Sequence, residues 1–273
     1  VQSAAAFYVM AGATYYVEVA DYGNPGGGQL VFHANTYFAA QSVANSLLRI
    51  NVATSPTNNL GFEGLFTLGT TGGDPNTAED NNKRLLYGYP LNIGSSYTTL
   101  RLASGAGFTD YRLGQDVAPV STSSPDAATV LTVWQVGPVR VEQRLRLTSQ
   151  LVPSQLDAVA IEYTLVNTGA TPVQAGTRIM LDTMIGNNDG APLFAPGAGR
   201  IETEREFSAF DMPDYWVAWE SPAFNAAQMK ARGSVRGAQL TMPDRLVIAH
   251  WGAALCRGAG SGLYANPWDY TVN

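Results

Sequence analysis

Val139–Leu147 limits the possible fold more than any other stretch of this chain. Val139, Val141, Leu145 and Leu147 fall on one side and Arg140, Glu142, Arg144 and Arg146 on the other, the period of two that suits a strand with one buried and one solvated face. Gln143 alone breaks the apolar side. Val159–Leu165 alternates likewise through Ile161 and Tyr163 and ends in the Asn167-Thr168-Gly169 turn, while Val130–Val136 and Leu246–Trp251 read as further strands. No window of about 11 residues or more keeps a helical period. Short strands punctuated by Gly, Pro and Asn predict an all-β chain, built as a large antiparallel β-sandwich.

Composition narrows the function classes. A chain of 273 residues can bury one large core without a disulfide or metal staple. Only 14% of residues are charged, against about 25% in ordinary globular proteins, a balance that suits an extracellular β-protein better than a cytosolic enzyme. A formal charge of −6, with 16 Lys and Arg spread along the chain, offers no basic face for nucleic acid. Cys256 is the single cysteine, so neither an intrachain disulfide nor a cysteine-based zinc site can form. No apolar run reaches about 18 residues, so no membrane-spanning helix is expected.

Three segments organise the chain. Thr14–Ala20 and Gln29–His33 flank the Gly- and Pro-rich turn Asp21–Gly28 and predict a β-hairpin within residues 1–34. Residues 35–46 read as a linker, and 47–273 as the large domain. The wording AGATYYVEVADYGNPGGGQLVF at Ala11–Phe32 resembles the end of the pre-peptidase C-terminal type domain, a small β-sandwich appended to secreted bacterial proteins. Four further segments, Gly64–Pro90, Arg178–Gly197, Met212–Ser221 and Tyr264–Asn273, together resemble a large β-domain of unassigned function in secreted and cell-surface bacterial proteins. That resemblance implies a surface or extracellular location, a sandwich of the supersandwich kind, and a domain that continues past Asn273. It brings no catalytic residue. Strand edges at 1–34 and 255–273 would then seek other protein chains, a second copy included.

Two loops are rich in oxygen ligands. Leu181–Pro192 turns from alternating strand into Asp182, Asn187, Asn188 and Asp189, and Gly73–Asn82 supplies Asp74, Asn76, Glu79, Asp80 and Asn81. The alternation over Arg178–Ile185 sets Ile179, Leu181, Thr183 and Ile185 against Arg178, Met180, Asp182 and Met184. Either loop could hold Ca²⁺, which takes six to eight oxygens, although neither has EF-hand spacing. Asn and Asp also build turns by bonding their own backbone, which accounts for the same residues without a metal. Two aromatic groups, Tyr215, Trp216 and Trp219, then Tyr264, Trp268 and Tyr270, could hold sugar rings, and core packing accounts for them equally simply.

Nucleophilic catalysis has little to stand on. His33 and His250 are the only histidines, and Gly258–Gly262 places Ser261 one position too late for a nucleophile elbow. Asp182, Asp189, Asp214 and Glu220 are candidate glycosidase carboxylates, drawn from 22 acidic residues among which some pair will always look plausible. The expectation is a non-enzymatic extracellular structural or adhesion module, part of a surface layer or filament. A carbohydrate-binding or carbohydrate-active domain is the alternative.

Overall fold

A computed structural model of the chain describes residues 14, 16, 40–54, 62–90, 93–150, 152–221, 223, 229–249, 251 and 268–272. The chain divides into two units, Val1–Phe38 and Ala39–Asn273. The hairpin expected at 1–34 lies outside the described residues apart from Thr14 and Tyr16, as do His33, His250, Cys256 and Tyr264.

In the second unit the described residues form strands and turns with no helix, so the fold is all-β. Strands β1 (Ala40–Ala44), β2 (Leu48–Ala53) and β3 (Phe66–Thr70) make an antiparallel sheet. A hairpin of β4 (Tyr97–Ser104) and β5 (Gly107–Arg112) follows. The next four strands, β6 (Ser121–Asp126), β7 (Thr129–Val136), β8 (Val139–Thr148) and β9 (Ala158–Asn167), form an antiparallel meander. β10 (Ala175–Met180) returns to pair with β4. The short strands β11 (Leu193–Ala195), β12 (Gly199–Ile201), β14 (Tyr215–Trp219) and β15 (Lys230–Ser234) build a sheet in the order β12-β11-β14-β15, while β13 (Arg205–Ser208) pairs with β16 (Arg245–Ile248).

Two of these sheets share one partner. Ile50, Val52, Phe66 and Leu68 from β2 and β3 pack on Val130, Leu145 and Leu147 of the meander. Leu100 and Leu102 of β4, with Leu113, pack on Trp134, Val136, Val139 and Val141 of the same meander. The packing is sandwich-like: the meander is one layer, and the two three-stranded sheets cover different halves of it. β8 runs under both, and its four apolar side chains, each worth about 1.5–3 kcal/mol when fully buried, are divided two and two between the cores.

Gln143 stands where the two cores meet. It is buried and bonded at both ends of its amide: its Nε2 donates to the Gly64 carbonyl at 3.2 Å and its Oε1 accepts from the Tyr163 hydroxyl at 2.5 Å. With that proton committed, the Thr98 hydroxyl 2.5 Å away acts as donor to Tyr163. One polar residue on the apolar face therefore ties β8 to β9, to β4 and to the turn before β3, which is how a buried amide becomes tolerable. Burial pushes the Tyr163 hydroxyl pKa upward, keeping it a neutral donor.

Three expectations need correction. Residues 40–44, expected within the linker, form β1, so the strands of this unit start before residue 47. The strand expected through Arg178–Ile185 ends at Met180, and the side that faces the core is that of Met180 and Asp182, whereas Ile179 is 42% exposed. Both sides of that segment carry large apolar residues, so alternation revealed two faces without saying which was inside. The strand expected to reach Trp251 ends at Ile248.

Candidate functional site

The oxygen-rich loop after β10 is built as a fastener. Beyond Met180 the chain runs antiparallel to Arg84–Tyr87: Tyr87 N–H donates to the Asp182 carbonyl at 2.8 Å, Met184 N–H to Leu85 at 3.3 Å and Gly186 N–H to Arg84 at 2.9 Å. Ile185 and Asn188 then exchange backbone hydrogen bonds of 3.1 and 2.9 Å across a two-residue turn. Gly186 takes a φ of +60° at its first central position, the type II′ arrangement that favours glycine. Its hydrogens also face Glu220, whose carboxylate would overlap any Cβ placed there.

Glu220, just past β14, joins three segments. Its Oε1 accepts from Asn187 N–H at 3.2 Å and pairs with Lys83 Nζ at 3.3 Å, and its carbonyl accepts from Asn188 Nδ2 at 2.7 Å. Asn188 Oδ1 in turn takes Gly190 N–H at 2.9 Å, and Asn187 Oδ1 takes Arg84 Nη1 at 3.2 Å. The two amides are thus occupied as turn and bridging groups. Asp189 is exposed, and Asp214, another carboxylate considered from sequence, lies 3.7 Å from Arg236.

Asp182 differs from its neighbours. It is only 8% exposed, and burial pushes its carboxyl from an ordinary 3.8 up to about 6; the nearby Ser95 hydroxyl pulls the other way and the Asp189 charge adds to the rise. Ser95 Oγ is itself buried. The Asp182 N–H donates to Ser96 Oγ at 3.0 Å. A carboxyl poised near neutrality by burial is a recurrent feature of functional sites.

The second loop, 73–82, brings Asp74 and Asp80 together. Asp80 Oδ2 accepts from Asp74 N–H at 2.6 Å, while Asp74 Oδ1 accepts from the Asn76 backbone and side chain at 2.9 and 2.8 Å, which lowers the Asp74 pKa. Asp80 Oδ1 is buried without a hydrogen-bond partner. Beside it Gly72, Pro75, Asn76, Thr77, Ala78 and Asn81 line an open depression of about 400 Å³. Of the two loops this one keeps a carboxylate oxygen without a hydrogen-bond partner, the kind of atom a hard cation takes. Among the described residues no three His, Cys, Asp or Glu side chains are grouped as a metal site.

The first aromatic group divides between two faces. In β14, Trp216 and Ala218 point inward, and the Trp216 ring lies on Gly233 of β15, where any side chain would collide with it. Trp216 therefore packs within the sheet, its ring filling the space that Gly233 leaves. Tyr215 and Trp219 share the opposite face with Val217. The strand registers place Phe194 and Arg200 on that face through Val217↔Phe194 and Phe194↔Arg200, and Lys230, Arg232 and Ser234 through β15. Phe194 and Trp219 meet edge to face with centroids 6.4 Å apart, and the Arg232 guanidinium lies 3.9 Å from the centre of Tyr215. Sequence reading missed Phe194, Arg200, Lys230 and Arg232, because only cross-strand register places them beside Tyr215 and Trp219.

Trp268 takes part in a clasp. Its ring lies 4.7 Å from the Arg101 guanidinium and against Gly176 of β10. Arg101 is held by Asp110 at 2.7 and 2.8 Å and by Asp269 at 3.1 and 2.8 Å. Tyr270 donates its hydroxyl to Glu204 at 2.6 Å, and Arg245 donates to the Tyr270 carbonyl. The described end of the chain, 268–272, is fastened to its own unit. No family model matches this chain, and neither a curated protein nor a solved structure gives a significant match.

Proposed function

We propose that the chain is a non-enzymatic extracellular module that serves structure or adhesion on a bacterial surface. The observation behind this reading is the use made of Glu220, Asn187 and Asn188, polar side chains that bridge three chain segments. The low charge of the sequence agrees with it. Fractionation of the producing cell tests it. The protein is expected in washed envelopes or in culture medium, and confinement to the cytosol would overturn the reading.

Carbohydrate binding is the second reading, favoured by the outer face of the β12-β11-β14-β15 sheet. Phe194, Tyr215 and Trp219 offer apolar ring surface there, with Arg200, Lys230 and Arg232 around them as hydrogen-bond donors. On a glycan array the parent chain is expected to retain a glycan that Trp219→Ala loses while its melting curve is kept. Silence of the parent chain across a broad array would remove this reading.

A further inference from the structure

We infer that β9 is a self-pairing edge, through which two copies of this chain join their meanders into one continuous antiparallel sheet. This goes beyond the surface reading and holds wherever the protein resides. The meander has the order β6-β7-β8-β9, so it ends in two edges, and they differ in kind. β6 is six residues long, carries Pro125 and Asp126, and shifts register between Ser123 and Asp126, all features that discourage further pairing. β9 is ten residues long, has no Pro, Lys or bulge, and holds a single charge, Glu162. Among the described residues no strand pairs with its outer side. Every second residue there directs its N–H and C=O away from β8.

The chemistry of the strand favours its own copy. Residues directly opposite in an antiparallel pair share a face, so a continuous sheet keeps Val159, Ile161, Tyr163 and Leu165 of both copies on one side. A two-fold axis at Glu162 would place that carboxylate opposite itself. An axis at Tyr163 instead sets Glu162 against Thr164, Ile161 against Leu165 and Ala160 against the exposed Val166, with no like charges directly opposed. Glu162 is already held by Arg146 at 2.9 Å and has Arg144 opposite it on β8, which neutralises charge along the joint. The same patch on both partners is what an isologous dimer requires.

Thr164 tests both pairing and register, since its side chain is exposed and each copy would set it against Glu162 of the other. In sedimentation velocity over a concentration series, the full chain is expected to form dimers. Thr164→Glu should weaken them about tenfold by creating two like-charge pairs, and Thr164→Lys should leave them as strong or stronger. Amides of 158–167 should gain exchange protection as dimer forms, whereas melting of dilute monomer should fall slightly for Thr164→Glu and hold or rise for Thr164→Lys, because Glu142 of β8 stands opposite residue 164 within the monomer. A parent chain that stays monomeric at its solubility limit would overturn the inference. So would dimers indifferent to both substitutions, or dimers with no added protection in β9.

Discussion

At pH 7, Asp182→Asn is expected to be more stable than the parent chain by about 2–3 kcal/mol. The sign follows from the direction of the shift. The carboxyl ordinarily ionises near 3.8 but in the fold only near 6, so between those values the native state holds a proton that the unfolded chain has released. The stability this group contributes is complete below about 3.8, falls as pH rises, and is gone above about 6. At about 1.4 kcal/mol per pH unit, ionising the buried group costs about 3 kcal/mol. Asn removes that cost, and its amide can donate to the buried Ser95 Oγ. Urea unfolding of both chains at pH 4 to 7 checks this: the curves should converge at low pH and separate as it rises. Parallel curves would show that the carboxyl is not perturbed.

Gly64→Ala is expected to destabilise the fold by about 3–4 kcal/mol. Gly64 precedes β3 with a φ of +82°, where an L-residue costs about 1–2 kcal/mol. A methyl there would also run into the indole ring of Trp134, which is 1% exposed and has no room to retreat, adding about 1–3 kcal/mol of overpacking. The Gly64 carbonyl accepts from Gln143, so displacing the turn also loosens the polar chain between the cores. In a domain of this size the melting temperature should fall by roughly 10 °C. Gly107→Ala is the control, since its added methyl meets nothing within 4 Å. Equal melting temperatures for the two variants would refute the packing argument.

The sequence and the structure agree where one face of a strand is apolar and the other charged. β8 is the clear case, with Val139, Val141, Leu145 and Leu147 buried as the alternation requires. Gln143 read as a flaw in that pattern, because the reason for it lies in Tyr163 and Gly64, which are distant in sequence. β1 was hidden by small and polar residues, AQSVA, that carry little propensity. The loop at 182–190 was legible as turn chemistry, but its dependence on Glu220 was not, since 33 residues separate Asn187 from that carboxylate. Tyr215, Trp216 and Trp219 look like one cluster because they are close in sequence, yet a period of two must put Trp216 on the other face. The outer platform with Phe194 and Arg232 required strand order, which no local pattern contains.

The position of β8 sets how this molecule can breathe. Its first half is packed into one core and its second half into the other, with Gln143 bonded across the junction. Peeling β8 away from either side strips apolar surface from both cores at once, so neither three-stranded sheet can open as a separate foldon while β8 is lost. Amide hydrogens along β8 therefore exchange through global unfolding, and their rates report the free energy of the whole unit, while the exposed turns around Asn76 and Gly107 exchange by local fraying.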